Sequence, residues 1–339
     1  GLEFAMIAST LSFIWFVACA RVQAQLSPTD GWVLVDSSNS NALAADMKYP
    51  ILAHDQDLNS LFIYYSCDSC YVANRQYTNY LSRLDLASLT LDSNYAAPAI
   101  QYFDRPWSFY CQMNETYVFF RTLASNNISR LNIKTHEIDN DFLPVPTALL
   151  DEFWFTPVCD ASISPNYLFL ITFYNAAFYI YDFDAQTWTT GPVPRALGNN
   201  FQPVILNQNH LYYTQSTAGT QIEINYLSLS GDIASNSFVQ ATGSNQIVRV
   251  YECAFNEAHN ANYIHFIGGR YNANPYYDAQ IYQIYDISSD AFMTAAQQLN
   301  YNRDHIGCVS INGIHFVFGG STYITGNSVV TDLNTWEYF

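Results

Sequence analysis

Lysine is almost missing: Lys48 and Lys134 are the only two in 339 residues. Charged side chains of every kind make up 12% of the chain, about half the share usual in globular proteins. The 12 Lys plus Arg stand against 29 Asp plus Glu, for a net charge of −17. A nucleic-acid partner is disfavoured, because a protein must supply cations to displace the counterions around phosphates. Anionic membranes are poor partners for the same reason. There is no second CxxC and no HxxxH to complete a zinc site, no Ser-His-Asp signature and no phosphate-binding glycine loop. No metal and no cofactor is therefore expected. Past residue 20 no apolar run reaches 18 residues, so no helix is expected to span a membrane in the mature chain. What the chain does have is apolar bulk, 50% hydrophobic and 17% aromatic. That is too much to stay extended in water and enough for a sizeable core.

The N-terminal stretch reads as a targeting segment. Ile7 to Ala20 is almost wholly apolar (IASTLSFIWFVACA), and Val22-Gln23-Ala24 places small residues three and one before Gln25. About 14 apolar residues fall short of the roughly 20 that cross a bilayer. The expectation is a signal peptide over 1–24, a single domain over 25–339 and a secreted product. Two sequons agree with export, Asn114-Glu115-Thr116 and Asn127-Ile128-Ser129, and glycans there would mark exposed loops. Removing Cys19 with the signal leaves six cysteines, an even number suited to an oxidising compartment.

From residue 45 onward the chain repeats. One strand-ending marker recurs at Asp85, Asn132, Asp182, Ser228, Asp286 and Asp332, with gaps of 47, 50, 46, 58 and 46 residues. A second register agrees, each copy pairing an earlier strand with an aromatic-rich one: YPILAH with LFIYYS, WSFYCQ with YVFFRT, TPVCDA with YLFLIT, QPVILN with LYYTQ, YECAF with YIHFIGG, and IGCVS with IHFVFGG. The paired glycines Gly268-Gly269 and Gly319-Gly320, the Tyr181-Asp182 step with Trp188 after it, and the Gly191-Pro192 exit complete the pattern. These features resemble the kelch repeat, degenerate in the first four units, whose ends carry no paired glycine. The resemblance, shared with the central domain of galactose oxidase, implies an all-β, six-bladed β-propeller, with a seven-bladed ring as the alternative. Units of four antiparallel strands, apolar on both faces, bury those faces by stacking in a circle. The blades are placed at about 47–100, 101–150, 151–199, 200–248, 249–302 and 303–339, with 31–36 closing the last.

Cys111, Cys159, Cys253 and Cys308 occupy the same place in the innermost strands of units two, three, five and six. They can bridge as 111–159 and 253–308, or pack as free thiols. Inner strands of neighbouring blades standing more than about 7 Å apart would favour free thiols. Cys67 and Cys70 lie in an expected loop between two strands, where a local disulfide suits them better than redox or zinc chemistry. His305, in Arg303-Asp304-His305, matches the arginine and histidine that often enter the inner strand of kelch repeats, which implies a structural role.

Copper chemistry of the galactose-oxidase kind would need a further domain that this chain does not show. A sialidase would show Asp-box turns, and the nearest segment, 182–188, lacks the glycine. What remains is surface. The long loops at 67–79, 270–280 and 321–327 are rich in Tyr, Asn and Arg, which give large amphipathic contact area. Arg270, Tyr271, Tyr276, Tyr277 and Tyr323 are the candidate binding residues. The function expected is a non-catalytic module for an extracellular protein or glycan. The alternatives are a self-associating subunit of an extracellular assembly and a carbohydrate-active enzyme with its site at the propeller mouth.

Overall fold

A computed structural model describes residues 33–35, 47–72, 76–93, 95, 106–122, 127–149, 155–172, 176–194, 204–217, 221–245, 248–250, 253–257, 260–271, 282–293, 298–301, 303, 306–324, 329–332 and 335–339. Among them are six four-stranded antiparallel sheets, and the only helices are two three-residue 3-10 turns. The chain is a six-bladed β-propeller.

Blade 1 runs Lys48–Asp55, Ser60–Val72, Gln76–Asp85 and Thr90–Asp92 from the axis outward. Blade 2 runs Pro106–Gln112, Tyr117–Thr122, Asn127–Asn132 and Ile138–Pro144. Blade 3 runs Phe155–Val158, Tyr167–Thr172, Phe178–Asp182 and Thr187–Thr190. Blade 4 runs Val204–Asn207, His210–Thr217, Gln221–Ser228 and Val239–Asn245. Blade 5 runs Cys253–Glu257, Asn260–Ile267, Tyr282–Asp286 and Ala291–Met293. Blade 6 takes Gly307–Ile311, Ile314–Phe318 and Trp336–Tyr338 from one end of the chain and Val33–Val35 from the other. Val33 pairs with Tyr338 and Val35 with Trp336. First strands touch in sequence around the axis, and that of blade 6 meets that of blade 1, so the circle closes at six and leaves no place for a seventh blade.

Each junction holds its own apolar cluster. Phe62, Tyr64 and Phe120 fill the junction of blades 1 and 2, Phe169, Phe178 and Tyr213 that of blades 3 and 4, and Tyr65, Phe316, Phe318 and Trp336 that of blades 6 and 1. These side chains are all but inaccessible, because a twisted blade leaves wedge-shaped gaps that large flat rings fill.

The sequence marker has a physical meaning. Asp85, Asn132, Asp182, Ser228 and Asp286 each end a third strand, and each side-chain oxygen accepts backbone N–H groups of the turn that follows. This local hydrogen bonding reverses the chain into the fourth strand. Asp332 breaks the series and corrects the reading. It ends Val329–Asp332, a strand of a separate hairpin with Ser321–Ile324, while the third strand of blade 6 is Trp336–Tyr338. Both segments are short and apolar, so pattern alone did not tell them apart.

The cysteines decide between the two readings left open. Cys111 and Cys159, and Cys253 and Cys308, are disulfides joining neighbouring blades, 2 to 3 and 5 to 6. Their Cα separations are 5.4 and 6.0 Å, inside the range a bridge spans, because first strands crowd together at the axis. Cys67 and Cys70 sit in the long second strand of blade 1 rather than in a loop, and the structure describes their backbone but not their side chains. The 1–24 segment, Asp304 and His305 lie outside the described residues.

Candidate binding face

The meander fixes what each end of the ring can present. First-to-second and third-to-fourth connections gather on one face, and second-to-third and blade-to-blade connections on the other.

The first face carries mainly short turns, with longer connections at 159–166 in blade 3 and 229–238 in blade 4. In the Asn312-Gly313 turn of blade 6 both residues take positive φ, +53° and +80°, the conformation that a tight two-residue hairpin requires. The turns of blades 1 and 2 are clamped together. Nζ of Lys134 donates to Asp55 at 2.7 Å and to Asp57 at 2.6 Å, and Gln112 exchanges two 2.8 Å hydrogen bonds with the backbone of His54. Burial is the largest influence on the carboxyl of Asp55 and works to raise it, but the hydrogen bond and charge of Lys134 and the backbone N–H groups of Leu58 and Asp57 together hold the group below its ordinary value. Behind this clamp the buried Tyr64 hydroxyl meets Nδ1 of His136 at 2.6 Å. Asn114 is exposed here, its Oδ1 accepting the N–H groups of Thr116 and Tyr117.

The second face is built up. In blade 1 the second and third strands run past the sheet into a hairpin, with Cys67 opposite Thr78 and Val72 opposite Gln76. In blade 5 Arg270–Tyr271 pairs with Val248–Val250, the segment leading into that blade. In blade 6 the hairpin of Ser321–Ile324 and Val329–Asp332 stands on the second strand. Blades 5, 6 and 1 are consecutive, so these additions form a rise along one side of the mouth. Gly319 opens the way to the hairpin of blade 6. Its φ is +62°, and a Cβ there would stand 2.7 Å from the carbonyl oxygen of Met47.

Three of the five expected binding residues fall on this rise. Arg270 and Tyr271 form the added strand of blade 5, and Tyr323 lies in the hairpin of blade 6, its backbone paired with Val330. Tyr276 and Tyr277 lie outside the described residues. Asn127, expected in a loop, begins the third strand of blade 2, with its Nδ2 donating to Asp141 at 2.8 Å and Ser129 buried two residues on.

Two features escaped the sequence reading. Arg303 and Glu337 are fully buried and joined at 2.8 Å beneath the rise of blade 6. The guanidinium also donates to the carbonyls of Gly319 and Thr335 and to the Thr335 hydroxyl. On the outside of blade 2, a groove of about 560 Å³ is lined by Tyr117, Arg130, Asn132, Glu137 and Asp139 among others, with Arg130 held over the Tyr117 and Phe142 rings. Among the described residues no three His, Cys, Asp or Glu side chains are placed to share a metal ion, and no helix is long and apolar enough to cross a membrane.

No family model matches the chain, and no curated protein matches it. Solved structures do. That of YjhT superposes with a TM-score of 0.50 at 9% identity, covering 87% of this chain and 95% of that one. The extracellular domain of a protein described as a hybrid two-component system from B. thetaiotaomicron gives 0.48 at 12% identity, covering 89% of this chain and 34% of that one. At such identities the likeness to YjhT shows a shared β-propeller fold and nothing of activity.

Proposed function

We propose that the protein is a secreted, kelch-type propeller that binds an extracellular protein or glycan without catalysis, through the rise on blades 5, 6 and 1. The observation that carries this reading is the contrast between faces. One is closed mainly by connections of two to five residues, with longer ones in blades 3 and 4, and the other bears added strand pairs on three consecutive blades, where Arg270, Tyr271 and Tyr323 reside. Rigid strands that hold variable connections at one end are a common way to build a recognition surface. The positive φ of Gly268, Gly269, Gly319 and Gly320, together with the buried Arg303, supports the kelch reading. Two disulfides suit an oxidising compartment, in keeping with a cleaved 1–24 segment and with glycans on Asn114 and Asn127. Cys67 and Cys70 form a local bridge in this reading.

The test uses protein secreted by eukaryotic cells and a glycan array. Binding by the wild type that Tyr276→Ala and Tyr277→Ala abolish, with melting temperature unchanged, supports the proposal. Equal loss of binding and stability would place these tyrosines in the core. Concentration-dependent sedimentation with no binding would favour the assembly subunit, and turnover of an array sugar would favour the enzyme.

A further inference from the structure

The junction of blades 5 and 6 holds two histidine rings in contact. His265 comes from the second strand of blade 5 and His315 from that of blade 6, with ring centroids 4.8 Å apart. Both are buried. Phe255 stacks on His265 at 5.0 Å, and Phe339 covers His315 at 6.2 Å. Nδ1 of His265 meets the Tyr282 hydroxyl at 2.8 Å, and Nδ1 of His315 meets the Ser310 hydroxyl at 3.0 Å. Nε2 of His265 is buried without a hydrogen bond.

The charges around the pair decide what a proton does there. Glu257, on the first strand of blade 5, stands 3.5 Å from Nε2 of His265 and is 28% exposed. Tyr282 is neutral, its hydroxyl pushed up by burial. On the blade 6 side Arg303 and Glu337 cancel one another. Among the described residues Glu257 is the one side-chain carboxylate within ion-pair distance of either ring, so a second imidazolium would have little counter-charge in a dry, apolar setting. Burial accordingly holds His265 near 3, with His315 pushing the same way, and His315 near 4. At the junction of blades 1 and 2 burial lowers His54 and His136 as well, and the charge of Asp55 works against it for both.

The junction also carries its own tether. Cys253–Cys308 bridges the first strands of the same two blades, so parted blades stay linked. We propose that this junction is an acid-operated hinge, in which protonation of His265 and His315 parts blades 5 and 6 while the Cys253–Cys308 disulfide keeps them together and lets them close again at neutral pH.

The test is hydrogen-exchange mass spectrometry of the full chain with its disulfides intact, at pH 7.5 and 4.5, corrected for intrinsic exchange. Amides in 253–257, 260–267 and 307–318 are expected to lose protection by about tenfold or more at the lower pH, while those in 127–132 and 167–172 keep theirs. Return to pH 7.5 restores protection. In the double variant His265→Phe, His315→Gln, the local loss falls to about twofold or less. If that variant does not fold, His315→Gln alone is expected to move the opening midpoint down by about one pH unit. Protection lost equally around the ring, or lost in the variants at the wild-type pH, would overturn the proposal.

Discussion

Replacing Glu337 by Gln should cost more stability than its single-atom change implies. The carboxylate is fully buried on the third strand of blade 6, paired with Leu34 on one side and Val317 on the other. It accepts from Nε of Arg303 at 2.8 Å, from the backbone and side chain of Asn300 at 2.7 and 2.8 Å, and from the backbone of Tyr301 at 3.4 Å. A glutamine NH2 there turns donor against donor and leaves the Arg303 charge buried without its partner. Breaking one side of a buried pair costs about 3–5 kcal/mol. Unfolding entropy of about 2.1 cal/mol/K per residue gives roughly 0.7 kcal/mol/K for a chain of this length, so the melting temperature should fall by about 4–7 °C. Differential scanning calorimetry reads this directly. The double variant Arg303→Met, Glu337→Leu should recover most of the loss, because apolar side chains of similar volume remove the desolvation cost of both charges. A shift under about 1 °C in Glu337→Gln, or a double variant no better than the single, would refute the reasoning.

Acid should destabilise the protein through His265 and His315. Both are neutral when folded, with values lowered to about 3 and 4, so the unfolded chain binds more protons below about pH 6.5. Stability is full above that pH and falls on acidification, by up to about 1.4 kcal/mol per pH unit for each histidine, as urea titrations at pH 7.5 and 5 would show. Cys253→Ser with Cys308→Ser should lose about 4 kcal/mol in the chain-entropy model, the bridge spanning 55 residues, and Cys111→Ser with Cys159→Ser a similar amount over 48. Denaturant midpoints check both. Asp182→Ala removes the acceptor for the N–H groups of Asp184 and Ala185 and should cost about 1 kcal/mol in the same assay, without touching any junction.

The ring was legible because its cause is local. An Asp, Asn or Ser that caps a turn, followed by an aromatic strand, leaves the same trace wherever it recurs, and the count of six followed from that spacing. Asp332 was misplaced because the trace does not separate a blade strand from a strand of an added hairpin. The disulfide pairing was legible from the matching places of the four cysteines, but whether they bridge was not, since cysteines 48 and 55 residues apart say nothing of how closely two first strands approach. Arg303 stood out as a kelch-like arginine, but its partner is 34 residues away in Thr335-Trp336-Glu337-Tyr338-Phe339. A lone acid among aromatics was the signal that could have marked it.

The way blade 6 is shared between the two ends of the chain makes the position of the cut arbitrary. Phe339 and Val33 stand where blades 1 to 5 have a third-to-fourth turn, and Val33 already pairs with Tyr338. In a chain trimmed to begin at Val33 and end at Phe339, a linker no longer than the four residues between Asp182 and Thr187 would join them into a loop of the same kind. New termini could then be opened in the exposed turn at 183–186 with every blade intact, because a closed wheel has no privileged spoke.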